Sequence, residues 1–427
     1  MTEKMGVSLR GNRFYKSIAV LLCVLATGVS AAGCAPARSF EGELERIVKP
    51  YEFNLAGWEF NSIFNEVKDA FSGEPVDKDN GAVTVKEYFN IFDRIIRLEI
   101  EIASIKSGEK AGEAAPLEDE ISRLQVRRLA LQKSAAPVLE GQIKDTLSGL
   151  GIYNPTDVYV NLSVTFPPVN FELADPPYLL VISPREKIET LRTVMLETDL
   201  SREASEKLET TVDGLGVSSL TVKLGGVATY PSFVSNRGDL RFVIDTAAHE
   251  WIHQYLTFRP LGFRYFLSLQ GIARDYDVTA IDETLTSMMG KEIGGMVYDR
   301  YYRTPGDIVP DANGETGFDS NKEMREIRKT VDVLLAGGKV SQAGAFMEEK
   351  RQYLATKGYY LRKLNQAYFA FYGSYTDSPT SVDPLGAEMR ELRNNSRSIK
   401  DFLDRASFIT SRADLKENLK QIAEQAK

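Results

Sequence analysis

The feature that most constrains this chain is the spacing of its histidines. Only two occur in 427 residues, His249 and His253, and they lie four apart with Glu250 directly after the first. On an α-helix, residues four apart lie one above the other on the same face. Two imidazoles placed in this way can bind one Zn²⁺ at about 2.0–2.1 Å per nitrogen, and the intervening glutamate can accept a proton from water on the metal. The spacing therefore predicts a zinc-binding helix.

The residues around this motif indicate that the helix is buried. Most of its other positions are apolar: Phe242, Val243, Ile244, Ala247, Ala248, Trp251, Ile252 and Tyr255. A helix that is apolar on nearly all sides packs inside a domain. Its buried histidines and glutamate then need polar partners. A metal ion supplies one, so the sequence favours a zinc site over ordinary core packing of the two histidines.

The third ligand is predicted to be a carboxylate. A catalytic zinc site takes three protein ligands and keeps one position for water. The chain has no third histidine, and both of its cysteines lie before residue 35. The best segment is 279–290, which predicts a second helix and contains Asp282 and Glu283. Asp275 and Asp277, between the two helices, remain alternatives to Glu283, as does Asp282.

The motifs in residues 240–290 resemble those of the gluzincins, the thermolysin-like and aminopeptidase-like HExxH zinc metallopeptidases. The second helix of a gluzincin carries an Asn-Glu pair whose glutamate binds zinc, and Asp282-Glu283 matches that pair with Asp in place of Asn. The resemblance implies a zinc peptidase with Glu250 as its general base. The metal ligands that it implies are His249, His253 and Glu283.

Two features depart from the gluzincin pattern. Many gluzincins have an acid four residues after the ligand glutamate, which orients the first histidine, whereas this chain has Ser287 there. Thermolysin also uses a later histidine to stabilise the tetrahedral intermediate, and no histidine follows the motif here. A tyrosine, as in the aminopeptidase branch, or an arginine would take that role. We predict Tyr368 and Tyr372, in the aromatic run 359–375, as donors, with Tyr276 as a further candidate.

The first 33 residues have the composition of an export signal. Basic residues precede an apolar run over 18–29, which is shorter than the roughly 18–20 residues of a membrane span. Residues 31–34, Ala-Ala-Gly-Cys, resemble a bacterial lipobox, which implies a signal peptide over 1–33 and a lipid on Cys34. We therefore expect a membrane-anchored lipoprotein outside the cytoplasm, with a secreted protein as the alternative.

The rest of the chain predicts an α+β fold that is mostly helical, with a zincin-like core and a small mixed sheet. We expect a helical N-terminal region over 34–150, the sheet and catalytic helices over 151–300, and a helical C-terminal lobe over 301–427. A capping box at Thr84 and a polar break at 107–116 predict a hairpin of two helices. Alternating or β-branched runs predict strands over 158–166, 178–183, 192–196 and 219–230.

The last of these predicted strands directly precedes the zinc helix. In gluzincins the edge strand at this place binds the substrate backbone as an added strand. Gly225 and Gly226 would allow a close approach of another backbone there. The alternative for the two glycines is a simple bend or bulge in a sheet.

The composition excludes one class of partner. A net charge of −8, from 52 basic and 60 acidic residues, argues against binding to nucleic acid. The sequence thus predicts a zinc-dependent peptidase that acts on peptides or proteins. The alternatives are a lipid-anchored binding or structural protein with a non-catalytic zinc site, and a hydrolase of some other substrate.

Overall fold

A computed structural model describes residues 39–53, 81–155, 164–304 and 318–425 of the chain. The helices are α1 (Phe40–Val48), α2 (Gly81–Lys106), α3 (Ala115–Gly149), α4 (Arg202–Asp213), α5 (Leu240–Leu256), α6 (Pro260–Leu269), α7 (Tyr276–Tyr301), α8 (Ser320–Ala336), α9 (Val340–Thr356), α10 (Gln366–Tyr372), α11 (Leu385–Asn394), α12 (Ile399–Ala406) and α13 (Arg412–Gln425). The strands are β1 (Phe171–Ala174), β2 (Tyr178–Pro184), β3 (Arg192–Leu196), β4 (Val217–Lys223), β5 (Gly226–Val227) and β6 (Ser232–Ser235).

The predicted fold class is confirmed at the level of an α+β protein that is mostly helical. Across the described ranges, no helix combines the length and hydropathy that a membrane crossing needs. The predicted signal peptide and the predicted lipid site at Cys34 lie outside the described residues.

Residues 81–149 form a hairpin of two long helices, as the sequence predicts. Helices α2 and α3 pack along each other. Lys106 lies 2.8 Å from Glu118 near the connecting turn, and Arg127 pairs with Glu87 farther along, so the two helices are antiparallel. Helix α2 begins at Gly81, three residues before the predicted capping box.

Two three-stranded sheets take the place of the single mixed sheet that the sequence predicts. The first has the order β1-β6-β5, with β1 parallel and β5 antiparallel to β6. The second has the order β3-β2-β4 and is antiparallel throughout. The strands predicted over 178–183 and 192–196 are confirmed as β2 and β3.

The prediction of a single strand over 219–230 is wrong. The chain leaves β4 after Lys223, bends, and enters β5 at Gly226, which belongs to the other sheet. A glycine pair at the bend makes this change of sheet possible because neither residue carries a side chain. Of the strand predicted over 158–166, residues 158–163 lie outside the described part, and residues 164–166 are not in a strand.

Helices α5 and α7 lie at the centre of the largest apolar core. They pack closely because α7 has glycines where it crosses α5: a Cβ on Gly290 would lie 2.8 Å from the Asp245 carbonyl oxygen, and one on Gly294 would lie 2.0 Å from Asp245 Oδ1. The surrounding core includes residues of α2, α3, β1, α11, α12 and α13. Side chains between α5 and α7 are therefore shielded from water by apolar residues from distant parts of the chain.

The connection between these two helices contains α6, a helix that was not predicted from the sequence. Gly262 lies against the end of α5, where a Cβ would lie 2.2 Å from the Leu256 carbonyl carbon. The backbone N–H of Leu261 also donates to the Ser407 carbonyl oxygen at 3.0 Å. These two contacts place α6 beside the pair formed by α5 and α7.

Candidate metal centre

The two histidines lie on one face of α5, as their spacing predicts. Asp239 begins the helix because its Oδ1 accepts a hydrogen bond from the Phe242 N–H at 2.7 Å. The Nε2 atoms of His249 and His253 are 3.1 Å apart. His249, Glu250 and His253 offer ligand atoms within 4.8 Å of one another, so this group could hold a metal ion.

Helix α7 brings Glu283 to both histidines. Glu283 Oε2 lies 3.7 Å from His249 Nε2 and 3.6 Å from His253 Nε2. With the 3.1 Å distance between the two nitrogens, these atoms form a nearly equilateral triangle. A point about 2.0 Å from all three atoms lies close to the plane of the triangle, which matches metal–nitrogen and metal–oxygen distances of about 2.0–2.2 Å. Glu283 Oε2 is also buried without a hydrogen-bond partner among the described residues.

The other carboxylates considered as third ligands have different positions. Asp282 Oδ1 lies 2.7 Å from His253 Nδ1, the nitrogen that faces away from the triangle. Asp275 begins α7, where its Oδ1 accepts from the backbone N–H of Asp277 at 3.0 Å. Asp277 itself lies 3.1 Å from Arg412. The structure thus brings Glu283 to the centre, places Asp282 behind a histidine, and uses Asp275 and Asp277 elsewhere.

The electrostatics of the buried group suit a cation. Burial lowers the pKa of His249 to about 3, and the nearby His253 charge contributes. Burial alone would raise the pKa of Glu283, but the charge and hydrogen bond of His253, together with His249 and the Tyr265 hydroxyl, outweigh it and lower that pKa to about 2. Burial also opposes the charged form of His253, yet Glu283 and Asp282 raise its pKa well above the ordinary value. An ionised carboxylate and a neutral imidazole are the forms that bind metal ions, and a bound cation would replace the proton on His253.

Glu250 lies beside the centre and against strand β5. A Cβ on Gly226 would lie 2.5 Å from Glu250 Oε1 and 2.8 Å from Thr246 Cγ2, so only glycine fits between this strand and the helix. Burial raises the pKa of Glu250 to about 8, while the charge of His253 lowers it and that of Glu283 raises it. A carboxylate with a pKa near neutral is suited to accept and return a proton.

Tyr375 lies beside His249. Its ring centroid lies 6.3 Å from that of His249. Burial raises its pKa well above the ordinary value, and the charges of Glu283 and Glu250 add to the effect. Its hydroxyl therefore lies close to both carboxylates.

The predicted donors Tyr368 and Tyr372 lie together on α10. Tyr368 and Tyr372 stack on each other with centroids 4.5 Å apart, and no ring contact within the described ranges joins either of them to a histidine. Tyr276, at the start of α7, lies near Gly373. Tyr375 belongs to the same aromatic run as Tyr368 and Tyr372, but it follows the end of α10. Helical periodicity therefore could not select it.

Hydroxyl and carboxylate contacts fasten the loop that carries Tyr375 to α7. The hydroxyls of Thr284 and Thr376 are 2.7 Å apart. Ser287 Oγ donates to Asp377 Oδ2 at 3.0 Å, and Lys291 Nζ lies 2.5 Å from the same oxygen. Ser287, at the position where many gluzincins have an acid, thus binds an aspartate from another part of the chain, and His249 hydrogen-bonds the Thr286 backbone.

Tyr265 of α6 also contacts the centre, and the sequence analysis does not identify it. Its hydroxyl donates to Glu283 Oε1 at 2.5 Å. Its ring stacks on His253 with centroids 5.2 Å apart and an angle of 13° between the planes. It lies between the two ligand helices in the sequence, where no spacing rule relates it to either.

A comparison of the chain with protein-family models, with curated proteins and with solved structures found no match. The chemistry of this centre is therefore inferred from its own residues. They offer two imidazole nitrogens and one carboxylate oxygen at metal-binding distances, a second carboxylate beside them, and a tyrosine hydroxyl near both carboxylates.

Proposed function

We propose that this protein is a zinc-dependent peptidase with His249, His253 and Glu283 as its metal ligands. The observation that carries the proposal is the triangle of their three buried ligand atoms, which has room for one ion at about 2.0 Å from each atom. Two nitrogens and one carboxylate oxygen are a donor set that Zn²⁺ takes in catalytic sites. The order of these residues along the chain is also that of the gluzincins.

Glu250 is the proposed general base. When bound, Zn²⁺ lowers the pKa of a coordinated water toward about 7 and polarises a carbonyl group. Glu250 takes a proton from the attacking water and returns it to the leaving amine. Its carboxylate is held for this role between α5 and β5, where Gly226 leaves it just enough space.

Tyr375 is the proposed donor to the carbonyl oxygen of the scissile bond. Negative charge develops on that oxygen as water attacks, and a donor fixed at this place stabilises the transition state more than the bound substrate. Support comes from its position beside His249 and from the contacts that fasten its loop to α7. This assignment takes the place of Tyr368 and Tyr372.

Strand β5 is the proposed binding site for the substrate backbone. It lies at one edge of the first sheet, paired with β6 on one side, and it contacts Glu250 through Gly226. An extended peptide that pairs with a sheet edge gains main-chain hydrogen bonds. A peptide added to β5 would pass close to the general base.

The test compares Glu250→Gln with Glu349→Gln, a matched change at an exposed glutamate of α9. The full chain is purified without chelator and without a histidine tag. Its metal content is measured by mass spectrometry, and its hydrolysis of a mixed peptide library is followed. We expect about one zinc per chain in all three proteins. Turnover should fall by roughly 10²–10⁴ in Glu250→Gln, because general acid–base catalysis contributes that much, and stay unchanged in Glu349→Gln.

The alternative is a lipid-anchored binding or structural protein whose zinc site is not catalytic. A closed centre would favour it, and an open fourth position favours the peptidase. The side chains of His253 and Glu283 are 8% and 11% exposed, whereas that of His249 is 16% exposed. The remaining access is thus greatest at His249, which Tyr375 faces. Zinc binding without peptide hydrolysis in the wild type would support the alternative, and full activity in Glu250→Gln would contradict the proposed mechanism.

A further inference from the structure

We propose that Tyr265 is a positioning residue of the metal centre, which holds Glu283 so that only one of its carboxylate oxygens faces the metal. This inference rests on the proposed function of the same site. It assigns a role to a side chain that neither the HExxH motif nor the Asp-Glu pair of the second helix includes.

Tyr265 contacts two of the three proposed ligands. Its hydroxyl donates to Glu283 Oε1 at 2.5 Å, while Glu283 Oε2 faces the two histidine nitrogens. Its ring lies nearly parallel to the imidazole of His253, with an angle of 13° between the planes. One side chain therefore fixes the rotation of the carboxylate and one face of the imidazole together.

The two oxygens of Glu283 have different contacts, and this difference affects how the carboxylate can bind a metal. A carboxylate can bind a metal through one oxygen or through both. While Oε1 accepts from the Tyr265 hydroxyl, Oε2 is the oxygen turned toward the two histidines, and it is buried without a hydrogen-bond partner among the described residues. A ligand that binds through one oxygen leaves the fourth position of a tetrahedral site open for water.

The backbone of α6 fixes the place of Tyr265. Gly262 packs directly on the end of α5, and the Leu261 N–H donates to Ser407. Asp282 meanwhile holds His253 through Nδ1, at 2.7 Å. His253 is thus held by Asp282 at its outer nitrogen and by the Tyr265 ring on one face. Partners of this kind orient metal ligands, and their loss typically weakens metal affinity 10- to 100-fold.

The experiment measures the affinity of the full, metal-free chain for Zn²⁺ by competition with a chromophoric chelator. Tyr265→Phe keeps the ring and its stacking and removes only the hydroxyl. Tyr360→Phe is the matched control, because that tyrosine is 82% exposed. Glu283→Ala gives the scale for a lost ligand. We expect Tyr265→Phe to bind Zn²⁺ about 10- to 100-fold more weakly than the wild type, Tyr360→Phe to be unchanged, and Glu283→Ala to lose the most.

A spectroscopic measurement separates positioning from a general loss of stability. With Co²⁺ in place of Zn²⁺, visible absorption is strong for four-coordinate and weaker for five-coordinate ions. The freed Oε1 of Glu283 in Tyr265→Phe should join the coordination and weaken the absorption at saturating Co²⁺. Circular dichroism of the metal-free proteins checks that their folds are the same.

The outcomes distinguish this inference from the proposed function. A folded wild-type chain that does not bind Zn²⁺ would contradict both. A wild-type chain that binds Zn²⁺, with the same affinity and Co²⁺ spectrum in Tyr265→Phe, would overturn the role of Tyr265 and leave the peptidase proposal intact.

Discussion

The two sides of this metal centre differ in how much they depend on charged and polar contacts. Helices α5 and α7, which carry the proposed ligands, pack inside the apolar core and approach closely through glycines. The segment 362–377, which brings Tyr375, packs Ala367 and Phe369 in smaller apolar clusters and is also held at its two ends by ion pairs and hydrogen bonds. Arg362 binds Glu209 through two hydrogen bonds of 2.6 and 2.9 Å, and Lys363 lies 2.8 Å from Asp213. The stabilisation from apolar burial does not depend on the charge state of side chains, whereas the stabilisation from an ion pair is lost when one partner loses its charge.

The second attachment of this segment is at its far end. After α10, Thr376 contacts Thr284 and Asp377 contacts Ser287. The segment thus docks on strand β4 and helix α4 at one end and on helix α7 at the other, with Tyr375 close to the second attachment. Because the two sides are attached differently, we expect mutations to separate metal binding from turnover. Changes at the helix pair should release the metal, and changes at the segment should spare the metal and reduce turnover.

The largest effect that tests this separation is expected from Tyr375→Phe. Loss of one donor to a developing oxyanion typically lowers kcat by about 10²–10³, and the affinity for Zn²⁺ should change little because the ligands and the Tyr265 hydrogen bond to Glu283 are kept. Steady-state kinetics on a peptide substrate and a zinc titration measure the two quantities. The matched control is Tyr372→Phe, at a tyrosine that is 43% exposed. An equal loss of kcat in both variants would contradict the role of Tyr375.

The parts of the site that could be predicted from the sequence are those that depend on local helical spacing. The spacing of His249 and His253 is a local helical property, so the sequence is enough to place both nitrogens together. Glu283 was predicted as a ligand because two short motifs of this chain resemble those of the gluzincins, and the structure brings its Oε2 to the two histidines. Tyr375 and Tyr265 could not be predicted in this way. Their positions depend on contacts with residues far away in the sequence, and no periodicity records such contacts.

The strands, too, could be predicted only where their pattern is local. β2 and β3 were predictable because β-branched and apolar residues repeat within each strand. The division of residues 219–230 between β4 and β5 was not, because the bend depends on the packing of Gly226 against Glu250. A glycine pair in a strand pattern is compatible with a bulge, a bend or a binding edge. Which of the three occurs depends on how the glycines pack against the neighbouring helix α5.

A smaller effect is expected from Gly226→Ala, which tests the contact between β5 and α5. The new Cβ would lie 2.5 Å from Glu250 Oε1, so the carboxylate must move. A displacement of about 1 Å at a catalytic group can lower the rate about 10²-fold, and we expect kcat to fall by this order while zinc content stays the same. The control is Gly225→Ala, where the nearest atom would be Cζ of the half-exposed Phe242 at 3.0 Å. Equal kcat in the two variants would show that Gly226 does not hold the base.

The smallest effect on turnover is expected from Glu209→Gln, which weakens the docking of the segment that carries Tyr375. Glu209 is almost fully buried, and burial alone would raise its pKa. Hydrogen bonds from Arg362 and Thr221 and the charge of Lys363 together outweigh burial and hold the pKa below its ordinary value. Because the ionised form is favoured by folding, the stabilisation is present above about pH 4.3 and is lost as the pH falls through the lowered pKa.

The variant leaves Arg362 without its charged partner, which should lower the free energy of unfolding at pH 7 by about 1–3 kcal/mol. Urea unfolding at pH 7 and at pH 3 measures the difference between wild type and variant. This difference should shrink at pH 3, because protonated glutamate resembles glutamine. Glu326→Gln, at an exposed pair with Lys329, is the control and should change stability less. Since Thr284 and Ser287 also hold the segment, through Thr376 and Asp377, turnover at pH 7 should fall less than 10-fold. A difference in unfolding free energy that is the same at both pH values would show that the ion pair does not dock the segment.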